Sequence, residues 1–166
     1  MPKVSVVIPA YNAMPFLSKT LDSVLGQTFS DFEVLVINDG STDDIEAWVS
    51  GLTDRRVTMI NQENQGCAIA RNTGVFVSNG DYIAFLDADD IWEPTKLEKQ
   101  VCILETRPNV GLVNTWISHI DGEGVSLEKL GTPDAEGYVW EAVIDDYPSM
   151  CGSTPIVRRQ CCESVG

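Results

Sequence analysis

Apolar positions in this chain come in short runs separated by segments of helical period. Val4 to Ile8 (VSVVI) is a near-continuous β-branched run, as in a strand buried on both faces. Pro9-Ala10-Tyr11-Asn12 ends it. Phe16, Leu17, Leu21, Val24 and Leu25 follow at helical spacing, with Asn12 a candidate cap and Pro15 in the first turn. Phe32 to Asn38 (FEVLVIN) predicts a second buried strand, and Asp39-Gly40-Ser41 a turn. Ser41 and Asp44 resemble a capping box for a helix through about Leu52. Val57 to Asn61 reads as a short strand, Gly66 as the start of a helix to about Ser78, and Tyr82 to Leu86 (YIAFL) as the next strand. A helix follows from Pro94 to about Glu105, with Leu97, Val101 and Leu104 on one face.

This alternation predicts an α/β fold with a mostly parallel sheet flanked by helices. In such sheets ligands sit at the carboxyl ends of the strands, where the strand order reverses. Beyond Pro108 the pattern changes. Val110 to Ile120 reads as one strand, Asp121 to Gly124 as a turn, and Val125 to Leu127 as a hairpin return. Residues 138–144 read as a short helix and Ser153 to Val157 as a last strand. Trp92, Trp116 and Trp140 are expected in or beside the core. With no repeat or linker, residues 1–166 form one expected domain, cut short at its C-terminal end within an incipient helix.

Composition narrows the classes. An apolar share of 43% over 166 residues is enough for one core and argues against disorder. A net charge of -14 argues against a nucleic-acid partner, because phosphates require clustered Lys and Arg. The five cysteines are odd in number and lack a CxxC spacing, which disfavours a disulfide framework or a zinc site and points to a reduced, cytoplasmic setting. No run approaches the ~20 apolar residues that span a bilayer. Membrane association, for instance peripherally at the inner face, is therefore expected only through parts outside this chain.

The candidate chemistry lies at predicted strand ends. Asp87, Asp89 and Asp90 follow an apolar strand directly. Carboxylates this close repel, and a divalent cation compensates them economically. In an extended segment Asp87 and Asp89 point the same way, so both can meet one Mn²⁺ or Mg²⁺, or one can meet the ion and the other a sugar hydroxyl. The competing reading is a solvated acidic loop with Asp90 capping the next helix. Asp39 is either an Asp-Gly turn residue or an acceptor for a pyrimidine N–H or a ribose hydroxyl. Gly66 and Arg71 suggest a helix N-terminus that favours anions and a cation for a diphosphate or a nearby carboxylate, or an ordinary surface helix. Tyr11 suggests a ring stacked on a base, or a cover for a helix end. His119 has no evident nucleophile partner.

Taken together, VSVVIPAYN, FEVLVINDGSTDD, ENQGCAIARNTG and GDYIAFLDADDIWEP, in that order over residues 3 to 94, closely resemble the family 2 glycosyltransferases of the GT-A fold. GSTPIVRR extends the resemblance towards the C-terminus. It implies a Rossmann-like nucleotide-sugar-binding domain and inverting transfer from a nucleoside-diphosphate sugar, commonly a UDP- or dTDP-sugar. The acceptor would be a saccharide or lipid-linked hydroxyl in polysaccharide or cell-surface glycan synthesis. Pro9, Ala10 and Tyr11 would line the nucleoside pocket, and Asp39 would hold the base. Arg71 would lie near base or diphosphate, Asp87 would meet ribose or metal, and Asp89 would be the main metal ligand. The general base that inversion requires is expected beyond Gly166, since Glu163 precedes its place, so donor binding is expected to exceed turnover. The alternatives are a sugar nucleotidyltransferase and a non-catalytic nucleotide-binding module. The first would want a basic, Gly-rich loop after the first strand, where PAYNAMP stands.

Overall fold

A computed structural model describes residues 1–121, 126–130, 137 and 151–165. Four parallel strands form its centre: β1 (Val4–Ala10), β2 (Phe32–Asp39), β3 (Val57–Gln62) and β4 (Tyr82–Phe85). Every residue of β1 is buried. Val4, Val6 and Ile8 face one cluster and Val7 faces another, with Leu35, Ile37, Ala70 and Ile83. The run is apolar without alternation because both faces are covered.

Helices α1 (Met14–Leu25), α2 (Ile45–Ser50) and α4 (Lys96–Thr106) cover the first face with Leu17, Leu21, Val24, Ile45, Val49, Leu97, Val101 and Leu104. Helix α3 (Cys67–Val77) covers the second, where Cys162 of α5 (Arg159–Val165) joins it. Trp48 packs at the edge of the first cluster and Trp92 lies within it, but Trp116 is 63% exposed, against the expectation of a core position.

Two further strands complete the sheet. β5 (Leu112–Val113) and β8 (Ile156–Arg158) extend it in the order β3-β2-β1-β4-β8-β5, with β8 antiparallel to both neighbours. The order runs outward from β1 to β3 and then resumes at β4 on the opposite side. The switch point therefore lies between β1 and β4.

Several local expectations are corrected. The single strand expected over 110–120 is two, β5 and β6 (Ile117–Ile120), in different sheets. The chain leaves the main sheet because its polar groups find partners elsewhere. Gln100 Nε2 donates to the Val113 carbonyl (2.7 Å), and Thr154 Oγ1 donates to Asn114 Oδ1 (2.7 Å). The hairpin return is β7 (Ser126–Leu130), antiparallel to β6. The last strand starts at Ile156, not Ser153. Asn12 does not cap α1; at φ 51° its Oδ1 accepts from the Thr42 N–H (2.8 Å), while Ser41 Oγ accepts from the Asn12 N–H (3.0 Å). The loops after β1 and β2 thus brace each other, and no capping box forms. The expected helix over 138–144, Trp140 and the turn residues 122–124 lie outside the described residues.

Among the described residues, no helix is long and apolar enough to cross a membrane.

Candidate nucleotide-sugar site

The polar residues singled out in the sequence gather at the carboxyl ends of β1, β2 and β4. Pro9 and Ala10 are the buried last residues of β1, and Tyr11 emerges 54% exposed in the loop that follows. Asp39 ends β2 and is only 3% exposed. Its Oδ1 accepts from Gln62 Nε2 (2.7 Å) and the Gln65 N–H (2.9 Å), and its Oδ2 accepts from the Gly66 N–H (2.8 Å). Burial alone would raise the pKa of this carboxyl. The Gln65 N–H, the Gln62 amide and the Gly66 N–H outweigh it and hold the group below its ordinary range.

The N–H groups ahead of α3 are therefore occupied by Asp39. Asp39 thus takes the N–H groups of Gln65 and Gly66, just before the first helical residue Cys67. What Asp39 does structurally is lock the strand-to-helix connection after β3 against the end of β2.

On α3, Arg71 forms an ion pair with Asp87 through its Nη2 and Asp87 Oδ1. Its Nε is buried with no partner among the described residues. Cys67, one turn earlier on α3, is pushed up in pKa by burial, held down by the Arg71 charge and pushed up by the charges of Asp87 and Asp39. One thiol thus feels all three groups, and the start of α3 forms a common border for them.

Strand β4 ends at Phe85, and the next residues turn: the Asp90 N–H donates to the Asp87 carbonyl (3.1 Å). The side-chain alternation of an extended segment stops before this point, so the reason for expecting Asp87 and Asp89 on one side fails. The turn is held at three of its four positions. Asp87 pairs with Arg71, and its N–H donates to Ser153 Oγ (2.9 Å). The Ala88 carbonyl accepts from Thr20 Oγ1 of α1 (2.8 Å). Asp90 Oδ2 accepts from Ser153 Oγ (2.5 Å) and from the Cys151 thiol (3.2 Å). Asp90 therefore does not cap α4; in the first turn of that helix the Leu97 N–H donates to Gln27 Oε1 (3.0 Å) instead. Asp89 is exposed, and no side chain among the described residues pairs with it.

Ligand atoms of Asp87, Asp90 and Cys151 lie within 4.8 Å of one another. A thiol is a soft ligand, poorly suited to Mg²⁺ or Mn²⁺, whereas carboxylates suit both. The carboxylates of this group, without the thiol, fit a hard cation that takes one or two carboxylates and leaves its other positions to a ligand's oxygens.

Sequence reasoning passed over the segment Cys151–Thr154, which underlies the turn. Gly152 packs against the Arg71–Asp87 pair: a Cβ there would fall 2.4 Å from Arg71 Nη2 and 3.0 Å from Asp87 Oδ2. Gly152 and Ser153 stand at the head of GSTPIVRR, but nothing local in that string reveals contacts across more than sixty positions.

A family model described as "Glycosyl transferase family 2" matches residues 5–159. The chain belongs to this family. An uncharacterized glycosyltransferase of Rickettsia bellii is 42% identical to it over 147 residues, which cover 88% of the chain and 21% of that protein. The UDP-Glc:alpha-D-GlcNAc-diphosphoundecaprenol beta-1,3-glucosyltransferase WfgD of Escherichia coli is 41% identical over 102 residues, covering 61% of the chain and 40% of its own length. The chain thus spans well under half the length of these relatives. In fold it is similar to residues 1–349 of S. aureus TarS in complex with UDP-GlcNAc, with a TM-score of 0.81 at 21% identity over 98% of the chain and 47% of that TarS fragment. It is similar too to the mannosyltransferase PcManGT from Pyrobaculum calidifontis in complex with GDP-Man and Mn²⁺, with a TM-score of 0.72 at 24% identity over 99% of the chain and 47% of that protein. The architecture is that of the GT-A glycosyltransferases, as the resemblance implied.

Proposed function

We propose that this family 2 domain binds a nucleoside-diphosphate sugar at the carboxyl ends of β1, β2 and β4, together with Mn²⁺ or Mg²⁺, as the donor half of an inverting glycosyl transfer. The observation that carries this is the fixed turn after β4. Protein partners engage Asp87, Ala88 and Asp90, and the carboxylate left over, Asp89, faces solvent. Asp89 would be the principal cation ligand, with Asp87 beside it or at the ribose. The cation would stabilise charge on the departing diphosphate.

The chain's own residues do the rest. Tyr11 offers an exposed ring to the base, over a floor of Pro9 and Ala10. Asp39, already accepting three hydrogen bonds, keeps one lone-pair direction on Oδ2 for a pyrimidine N–H. Arg71 neutralises Asp87 and so offsets its repulsion of the diphosphate. The general base is assigned to no described residue, so the proposed role here is donor binding. A UDP-sugar is the first choice, because WfgD and WfaP of Escherichia coli are named for UDP-Glc. The acceptor would be a saccharide or lipid-linked hydroxyl, as those names suggest for the relatives.

A thermal melt tests this. A ligand at a hundred times its Kd stabilises by about 2.7 kcal/mol, which for a domain of this size raises Tm by roughly 5–10 °C. We expect UDP with Mn²⁺ to give such a rise, and GDP or either component alone to give clearly less. A folded chain whose melt is indifferent to UDP, dTDP and GDP with metal would remove the site assignment.

A further inference from the structure

Ser153 sits under the acidic turn without belonging to it. It is 5% exposed, and its hydroxyl is used in both senses. Oγ accepts from the Asp87 N–H (2.9 Å) and donates to Asp90 Oδ2 (2.5 Å). One side chain thereby ties the first residue of the turn to the last, and Asp89 is the residue between them that points outward.

The backbone that carries Ser153 is pinned from below. Trp92 Nε1 donates to the Ser153 carbonyl (2.8 Å). Lys96 Nζ (3.1 Å) and Gln100 Nε2 (3.0 Å) donate to the Thr154 carbonyl. All three side chains are buried. On the upper side Gly152 packs directly beneath the Arg71–Asp87 pair, where a methyl group would collide with the guanidinium. The segment Cys151–Thr154 is therefore a fixed plate between α4 and the turn.

We infer that Ser153 is a positioning residue for the cation site: by spanning Asp87 and Asp90 it fixes the shape of the turn and hence the place where Asp89 presents its carboxylate. This rests on the donor-site reading above and deepens it. Ser153 touches neither cation nor nucleotide; it acts through the turn. Removing its hydroxyl leaves the part-buried Asp87 N–H without this acceptor and Asp90 Oδ2 with only the Cys151 thiol, and the turn relaxes. Outer partners that orient ligating groups typically change metal affinity by roughly tenfold to a hundredfold when removed.

The test is a Mn²⁺ titration followed by electron paramagnetic resonance, in the presence of UDP, beside a UDP titration without metal. For Ser153→Ala we expect Mn²⁺ affinity to fall by about tenfold or more, with metal-free UDP affinity within twofold of the parent chain. Ser153→Thr, which keeps the hydroxyl, recovers most of the Mn²⁺ affinity. A merely structural role would weaken both titrations together and give no such split. Should Ser153→Ala not fold, Ser153→Cys, close in volume and a poorer acceptor, carries the same prediction. Unchanged Mn²⁺ affinity in the folded variant overturns the inference alone. Absence of Mn²⁺ binding by the parent chain with UDP overturns the donor-site reading and the inference with it.

Discussion

Lys96 shows how much strain a single residue in this domain accommodates. The residue is 7% exposed, and its ammonium lies 4.3 Å from the centre of the Trp92 ring and donates to Gln100 Oε1 (2.6 Å) and the Thr154 carbonyl. The ring favours the charged form, but burial dominates and lowers the pKa to about 7, with only a partial upward push from Cys151. A neutral amine has two hydrogens, matching the two acceptors present. Because the folded pKa lies below the unfolded value, the unfolded chain binds more protons between about pH 7 and 10. Stability from this residue therefore rises with pH across that window, by at most ~1.4 kcal/mol per pH unit. Lys96→Met removes the contribution. Denaturant melts at pH 7, 8 and 9 should show the parent chain gaining on the variant as pH rises; parallel curves would place the titration elsewhere. The comparison must be between the two proteins, because burial raises the thiols of Cys151 and Cys162, which act in the opposite sense over the same range.

At the scale of elements, helix α3 borders the site through its first turns, with Cys67 exposed and Arg71 one turn on. A nucleoside diphosphate lying between Asp39 and the acidic turn would cover Cys67 and leave Cys102, exposed on α4, untouched. UDP with Mn²⁺ should slow alkylation of Cys67 severalfold and that of Cys102 not at all, read from modified peptides by mass spectrometry. Equal rates at Cys67 with and without ligand would move the site away from this helix. The strands that position these groups were legible in advance. Runs such as VSVVI and FEVLVIN lack alternation because both faces are buried, and that pattern is local. The bends were not. The chain turns at Asn114 because Thr154, 40 positions later, donates to it, and residues 87–90 form a turn because Ser153 and Thr20 hold it. Residue types at the site were equally legible; their partners were not. Asp39 takes its donors from 23 to 27 positions away, so the sequence could suggest an acceptor but not one already engaged three times.

For the whole molecule, strand order and chemistry converge. The order β3-β2-β1-β4 places a topological switch between β1 and β4, and the residues at the ends of those strands include Tyr11 and the acidic turn. Family 2 membership fixes the fold and the class, whereas the ligand rests on the geometry of Asp39, Arg71 and residues 87–90. Calorimetric titration of UDP into the chain, with and without Mn²⁺, and into Asp89→Asn under both conditions, tests that geometry most directly. Mn²⁺ should tighten UDP binding at least tenfold in the parent chain, and Asp89→Asn should lose most of this gain while keeping its metal-free affinity. An equal Mn²⁺ gain in both proteins would contradict the cation role of Asp89.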